Sequence, residues 1–298
     1  MSKRLLISII VVLLITNIAT LVMLNQGHQV AIDSNHERLS ARDVVAEING
    51  EEITYIEWIN SLINRNGKSQ LKTLINQEVV HQLADQYHIE VDEKIIKRDI
   101  SLLTSMQGIM TKEEAKRLER DLRNDIIYRY QLERLLAMDH SVTEEEVQTY
   151  YQKYKSQYNF SEAMQISHIL VDNARIANKV KKELDEGATF SLLAKEYSKD
   201  KETRSNGGYI GFIHTKSQFF PNGYESVART MNEHSYSEPF QTENGVAIIY
   251  LHRKLPSIEF SYEELKPYIE SELALEQLDQ TLSAEALWEQ LNVKWIYD

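Results

Sequence analysis

The chain has no cysteine, four prolines and ten glycines in 298 residues. Without cysteine there can be no disulfide staple, no thiolate metal site, no thiol nucleophile and no lipid-modified N-terminal cysteine. So little proline and glycine argues against long disordered stretches. Nine histidines are present, but none falls in a His-Glu-x-x-His pattern that would set two rings on one helical face for zinc. A Gly-x-Ser-x-Gly nucleophile elbow is missing as well. Gly67-Lys68-Ser69 ends like a phosphate loop, yet Leu62 occupies the place of its first glycine. Positive charge is also short. The net charge of −12 makes nucleic acid an unsuitable partner and favours cationic ones. No metal and no cofactor is implied.

What is present begins at the N-terminus. Lys3-Arg4 precedes an uncharged, almost wholly apolar run from Leu5 to Leu24. Twenty such residues in a helix span about 30 Å, the thickness of a bilayer's hydrocarbon core. No small-x-small cleavage site follows, so residues 1–24 read as an uncleaved anchor in a lipid bilayer. The basic residues before the span, with Asp33 and Glu37 after it, place the bulk of the chain outside the cytoplasm. Residues 25–42 are polar and read as a linker.

Residues 43–160 read as mostly helical. The exception is Val44 to Thr54, where Asn49-Gly50 between alternating apolar residues predicts a hairpin. Thr54-x-x-Glu57, Thr111-x-x-Glu114, Thr143-x-x-Glu146 and Ser261-x-x-Glu264 each fit a capping box at a helix start. Leu71, Ile75, Val79 and Leu83 share one helical face, as do Ile96, Ile100 and Leu103. Tyr150-Tyr151-Gln152-Lys153-Tyr154 and Tyr158 read either as a packed face or as a client surface. A further amphipathic stripe over 261–291 carries Leu265, Ile269 and Leu273. It reads as an independent amphipathic helix or a dimer zipper, and the sequence leaves the oligomeric state open.

Between these helical flanks lie Gln165-Ile166-Ser167-His168-Ile169-Leu170-Val171, then Tyr197-Ser198-Lys199-Asp200, then Gly207-Gly208-Tyr209-Ile210-Gly211-Phe212, and finally Glu238-Pro239-Phe240-Gln241-Thr242 with Gly245-Val246-Ala247-Ile248-Ile249. In that order they resemble the parvulin family of peptidyl-prolyl cis/trans isomerases. The whole arrangement over about 43–290 is similar to chaperone-plus-isomerase chains of the PrsA and SurA type. The resemblance implies an α+β protein: an N-terminal transmembrane helix and a mostly helical chaperone domain with an inserted parvulin-type domain, a small antiparallel sheet surrounded by helices. It would place the isomerase at 161–256, the first part of the chaperone domain at 43–160 and a returning C-terminal segment at 257–298. Its clients would be unfolded or partly folded exported proteins.

The resemblance also implies a site. Rotation about an X–Pro bond meets a barrier of about 18–20 kcal/mol set by amide resonance, and no bond is broken. A catalyst must therefore bind the twisted amide better than either planar form. His168, Asp200 and Thr242 match the polar positions of the family, and Ile210, Phe219 and Tyr224 match its apolar proline slot. His168 would act in the chemistry or merely brace the strands. Two positions depart from the family pattern. Ala247 stands where a second histidine is usual, and Tyr209 replaces the usual aspartate of the glycine turn. The first departure leaves two readings: an isomerase of low turnover, or a degenerate unit that binds clients without catalysis. Asp172 would repel phosphate and speaks against phosphoserine-proline specificity.

Overall fold

Asn49 and Gly50 both take positive φ, 54° and 87°. A two-residue type I′ turn needs this at both positions, and Asn-Gly tolerates it best. The turn joins β3 (Val44–Ile48) to β4 (Glu51–Thr54) as an antiparallel hairpin, after a short pair β1 (Val30–Ala31) and β2 (Arg38–Leu39). The structure, a computed structural model, describes residues 30–31, 38–215, 217–218, 220–278 and 282–297. The expected anchor at 5–24 and the slot residue Phe219 lie outside the described residues. Among the described residues no helix is long and apolar enough to cross a membrane.

The chain divides into two units, residues 1–76 with 293–298 and residues 77–292. In the first, α1 (Tyr55–Leu62) follows the hairpin, and a π-helical turn (Ile63–Gly67) leads into α2 (Lys68–Gln86), whose residues from Gln77 onward belong to the second unit and include the buried Val79, Val80, Leu83 and Ala84. The Lys68 ammonium lies 5.6 Å from the ring centres of both Trp295 and Tyr297. No described residue of this unit is buried; Ile48, Trp58, Leu62 and Ile63 are exposed.

The second unit holds α3 (Glu93–Thr104), α4 (Lys112–Ala137), α5 (Glu144–Tyr158) and, after the sheet region, α9 (Tyr262–Leu278) and a 3-10 helix (Ala284–Leu291). Helices α4, α5 and α9 begin with complete capping boxes at Thr111, Thr143 and Ser261. Helix α9 lies against α4 and α5. Ile95, Val147, Phe260, Leu265 and Ile269 form the buried core there. The tyrosine-rich run packs onto this core: the Tyr150 and Tyr158 hydroxyls donate to Glu272 on α9 at 2.7 and 2.5 Å. Leu103, expected on the buried face of α3, is exposed, and Thr104 is buried instead.

The sheet runs β6-β5-β9-β7, all antiparallel, with β8 also paired to β9. Its strands are β5 (Ala163–Val171), β6 (Tyr209–His214), β7 (Ser235–Tyr236), β8 (Phe240–Thr242) and β9 (Gly245–Leu255). Side chains alternate between faces along a strand. Ile169 and Val171, with Val246 and Ile248, pack under α6 (Ala174–Asp185) and α7 (Phe190–Tyr197). Met164 and Ile166, with Ala247, Ile249 and Leu251, pack on the opposite face against α8 (Tyr224–Thr230). Burying both faces explains why β5 and β9 read as nearly continuous apolar runs. His168 falls on the α8 side.

Candidate active site

His168 is held by its own backbone. Its N–H donates to the Gly208 carbonyl at 2.8 Å, and it lies opposite Ile249 in β9. Gly208 has φ of 78°, and a Cβ there would come within 2.1 Å of the His168 carbonyl oxygen. Only glycine lets the turn approach so closely. The Tyr197-Ser198-Lys199-Asp200 segment is fixed against the same strand. The buried Ser198 hydroxyl accepts from the Leu170 N–H at 3.2 Å and the Asp200 N–H at 3.4 Å. The Lys199 N–H donates to the Leu170 carbonyl at 2.8 Å. Asp200 is thereby placed beside the imidazole.

Four side chains meet. His168 Nε2 lies 2.7 Å from Asp200 Oδ2 and 3.0 Å from Thr203 Oγ1. The Thr203 hydroxyl donates to Asp200 Oδ2 at 2.6 Å. The other ring nitrogen, His168 Nδ1, lies 2.8 Å from the Tyr224 hydroxyl. Burial lowers the His168 pKa below its ordinary value, with the hydrogen bond and charge of Asp200 only partly offsetting it. Burial pushes the Asp200 carboxyl up, but hydrogen bonds from Thr203, His168 and the Glu202 N–H outweigh this and hold it below its ordinary value. Burial, reinforced by the Asp200 charge, raises the Tyr224 phenol. These directions fix the roles near neutral pH: Asp200 is an anion, Tyr224 keeps its proton, and His168 is neutral. Nε2–H then donates to Asp200, and Nδ1 accepts from Tyr224.

Beside this network is an apolar surface. Ile210, Val227, Met231 and Phe240 are partly buried and pack onto the cluster that contains Tyr224 and Ala247. The Tyr224 ring meets Phe240 edge to face at 5.3 Å between centroids. Ala247 is fully buried, opposite both Leu170 and Phe240 in the sheet.

The structure therefore brings together His168, Asp200, Ile210, Tyr224 and Ala247 from the expected set. Thr242 is placed elsewhere. Its hydroxyl donates to the Gly245 carbonyl at 2.9 Å and accepts from the Asn244 N–H at 3.3 Å, closing the β8–β9 turn. The hydroxyl joining His168 and Asp200 belongs to Thr203. That residue was missed, although Asp-x-x-Thr is a spacing at which a side chain reaches back across a turn. Met231 and Phe240, which the sequence reading did not single out, pack on the same cluster as Ile210 and Tyr224. Tyr224 was expected only as apolar wall, and its hydroxyl carries the added bond. Among the described residues, no group of three or more His, Asp or Glu side chains is placed to hold a metal ion.

Comparison with known proteins bears on the family. Residues 142–267 match the PPIC-type PPIase domain family. YacD of Bacillus subtilis, whose name assigns it to the peptidyl-prolyl cis-trans isomerases, is 33% identical over 259 residues, 87% of each chain. A parvulin-like PPIase of Rickettsia prowazekii is 31% identical over 248 residues, 80% of this chain and 84% of that one. The foldase protein PrsA of Halalkalibacterium halodurans is 28% identical over 256 residues, 82% of this chain and 74% of that one. The chain belongs to the parvulin-type peptidyl-prolyl cis/trans isomerases.

Proposed function

We propose that this protein is a membrane-anchored, extracytoplasmic foldase that turns X–Pro bonds of exported proteins at the His168–Asp200 site. The carrying observation is a carboxylate held 2.7 Å from a buried imidazole nitrogen, beside an apolar shelf. A planar amide keeps negative charge on its oxygen through resonance. Asp200, facing the carbonyl, disfavours that planar form and lowers the cost of twisting. The pyrrolidine ring is taken by the shelf of Ile210, Met231 and Phe240, which excludes water from the bond. His168 and Thr203 keep the carboxylate aimed. No proton needs to move and no cofactor enters the cycle.

The sequence supports the location: Lys3-Arg4 and the apolar run 5–24 fit an anchor with its body outside the cytoplasm. Packing of α9 against α4 and α5 supports an isomerase unit at 161–256 inserted in a helical chaperone unit made from 43–160 and 257–298. The helical unit would hold extended clients. The PrsA relative, named a foldase, speaks for the same role.

Two measurements test this. The full chain should accelerate cis/trans exchange of proline peptides, and protease added to wall-stripped cells should digest residues 43–298. No turnover with intact suppression of client aggregation would make the unit a client-binding platform instead. Protection of the body from protease would overturn the topology.

A further inference from the structure

A buried imidazole needs a partner for each ring nitrogen. In His168 the Nε2 side is met by Asp200 and Thr203. The family pattern offers a second histidine in the last strand as a further polar partner, and here that position is Ala247. Its methyl group has no hydrogen-bonding capacity and sits fully buried in the apolar cluster. Tyr224, only 2% exposed, belongs to the same cluster and comes from α8 rather than from the sheet. Its ring lies edge to face with His168 at 5.7 Å between centroids, and its hydroxyl is 2.8 Å from Nδ1.

We infer that Tyr224 is a positioning residue whose hydroxyl takes over from the absent second imidazole, fixing the Nε2–H tautomer of His168 so that it points at Asp200. The small side chain at 247 and the hydroxyl at 224 then form a pair: a larger ring at 247 would compete for space in the cluster that the phenol helps to fill. The inference rests on the isomerase reading above, and it changes what that site does with pH. Around His168 the titratable groups are Asp200, from the segment after α7, and Tyr224, from α8; the glycine turn before β6 presents the Gly208 carbonyl, and β9 presents Ile249 opposite. A phenol that keeps its proton cannot titrate where an imidazole would. His168 is then the one imidazole in this network among the described residues.

Turnover of a proline peptide and the imidazole 15N resonances of His168 are measured on the full chain and on three variants. In the unaltered protein, Nδ1 should carry no proton and Nε2 should carry one. Tyr224→Phe keeps the ring and removes the hydroxyl. It should lower kcat about tenfold, the equivalent of one buried hydrogen bond, leave KM within about twofold and move the Nδ1 resonance. Ala247→His alone should lower turnover, because the cluster is full. Ala247→His added to Tyr224→Phe should recover most of the lost rate and introduce a second ionisation between pH 5 and 8. A protonated Nδ1 in the unaltered protein overturns the inference, even if every variant misfolds. So does a Tyr224→Phe variant with unchanged rate and unchanged Nδ1 signal, or a double variant no faster than Tyr224→Phe. Absence of turnover in the unaltered protein would defeat the isomerase reading, while the 15N signals would still decide the role of Tyr224.

Discussion

Two histidines project from neighbouring strands to opposite faces of the sheet. His168, on β5, meets a carboxylate, a phenol and a threonine hydroxyl. His252, on β9, meets the hydroxyl of Ser167 at 2.8 Å and stacks obliquely on Tyr250 at 4.7 Å between centroids. Burial lowers both pKa values. For His168, Asp200 pulls back towards the charged form. For His252, the nearby His234 pushes the same way as burial, and the pKa falls to about 4. The difference lies in the neighbours rather than in depth. A carboxylate beside a buried ring makes a polar network with a fixed direction, and a second imidazole beside one leaves a neutral ring serving the packing. A cavity of about 900 Å3 lies on the His252 side, lined in part by Phe190, Tyr250 and Ile109. The two faces thus differ in charge as well as in space: the carboxylate of Asp200 is on the His168 side.

The strongest way to break this contrast is to remove the charge. Asp200→Ala should lower proline-peptide turnover by about two orders of magnitude, the scale on which a preorganised electrostatic group acts. His252→Gln should leave turnover within about twofold. Equal losses from the two variants, or none from Asp200→Ala, would place the chemistry elsewhere.

Acid sharpens the contrast through stability. An unfolded chain protonates His252 near 6.5, whereas the folded protein resists until about 4. Between those values the unfolded state binds more protons, so stability falls as pH drops from 6.5 and levels off below about 4. With allowance for solvent screening at a partly exposed ring, the loss from His252 is about 1–2 kcal/mol. His168 acts in the same direction. Denaturant titrations of the full chain at pH 7 and pH 4.5 should show a smaller difference in His252→Gln than in the unaltered protein. An identical difference would mean that His252 is already charged in the folded state.

How much of this was legible beforehand follows the same division. The sheet and the glycine turn were legible through the parvulin resemblance, and the Asn49-Gly50 hairpin through local rules of alternation, positive φ and turn chemistry. Those are written in consecutive residues. His168 and Asp200 were legible because the short runs that carry them match the parvulin pattern; the Ser198 bonds that anchor the second run appear only in the structure. Tyr224 was legible as an aromatic wall and opaque as a donor, because its partner is 56 residues away and depends on how α8 docks. The tyrosine-rich run of α5 had two readings because amphipathic spacing does not say whether a partner exists. Glu272, contributed by α9, supplied that partner. Residues whose roles come from distant elements stay hidden in a single sequence.

The two threonines give the finest test of the same point. Thr242 was expected in the His168 network from its place in the family pattern, and Thr203 lies in it. Both hydroxyls brace a turn within three residues, so both should contribute similar stability, about 1 kcal/mol or less. They differ in what else they touch. Thr203 reaches Asp200 Oδ2 and His168 Nε2, while Thr242 reaches only the backbone of Asn244 and Gly245 among the hydrogen bonds of the described residues. Replacing each hydroxyl by a methyl group of similar shape, in Thr203→Val and Thr242→Val, should therefore give comparable small drops in melting temperature. Only Thr203→Val should slow proline-peptide turnover, by about threefold to tenfold, because Asp200 loses one of the donors that aim it. Only Thr203→Val should also raise the Asp200 pKa, since a hydrogen bond that stabilises the carboxylate is gone. If Thr242→Val is the slower enzyme, the β8–β9 turn rather than the Asp200 network controls the rate, and the side of the sheet that matters is the rim of the cleft instead of its floor.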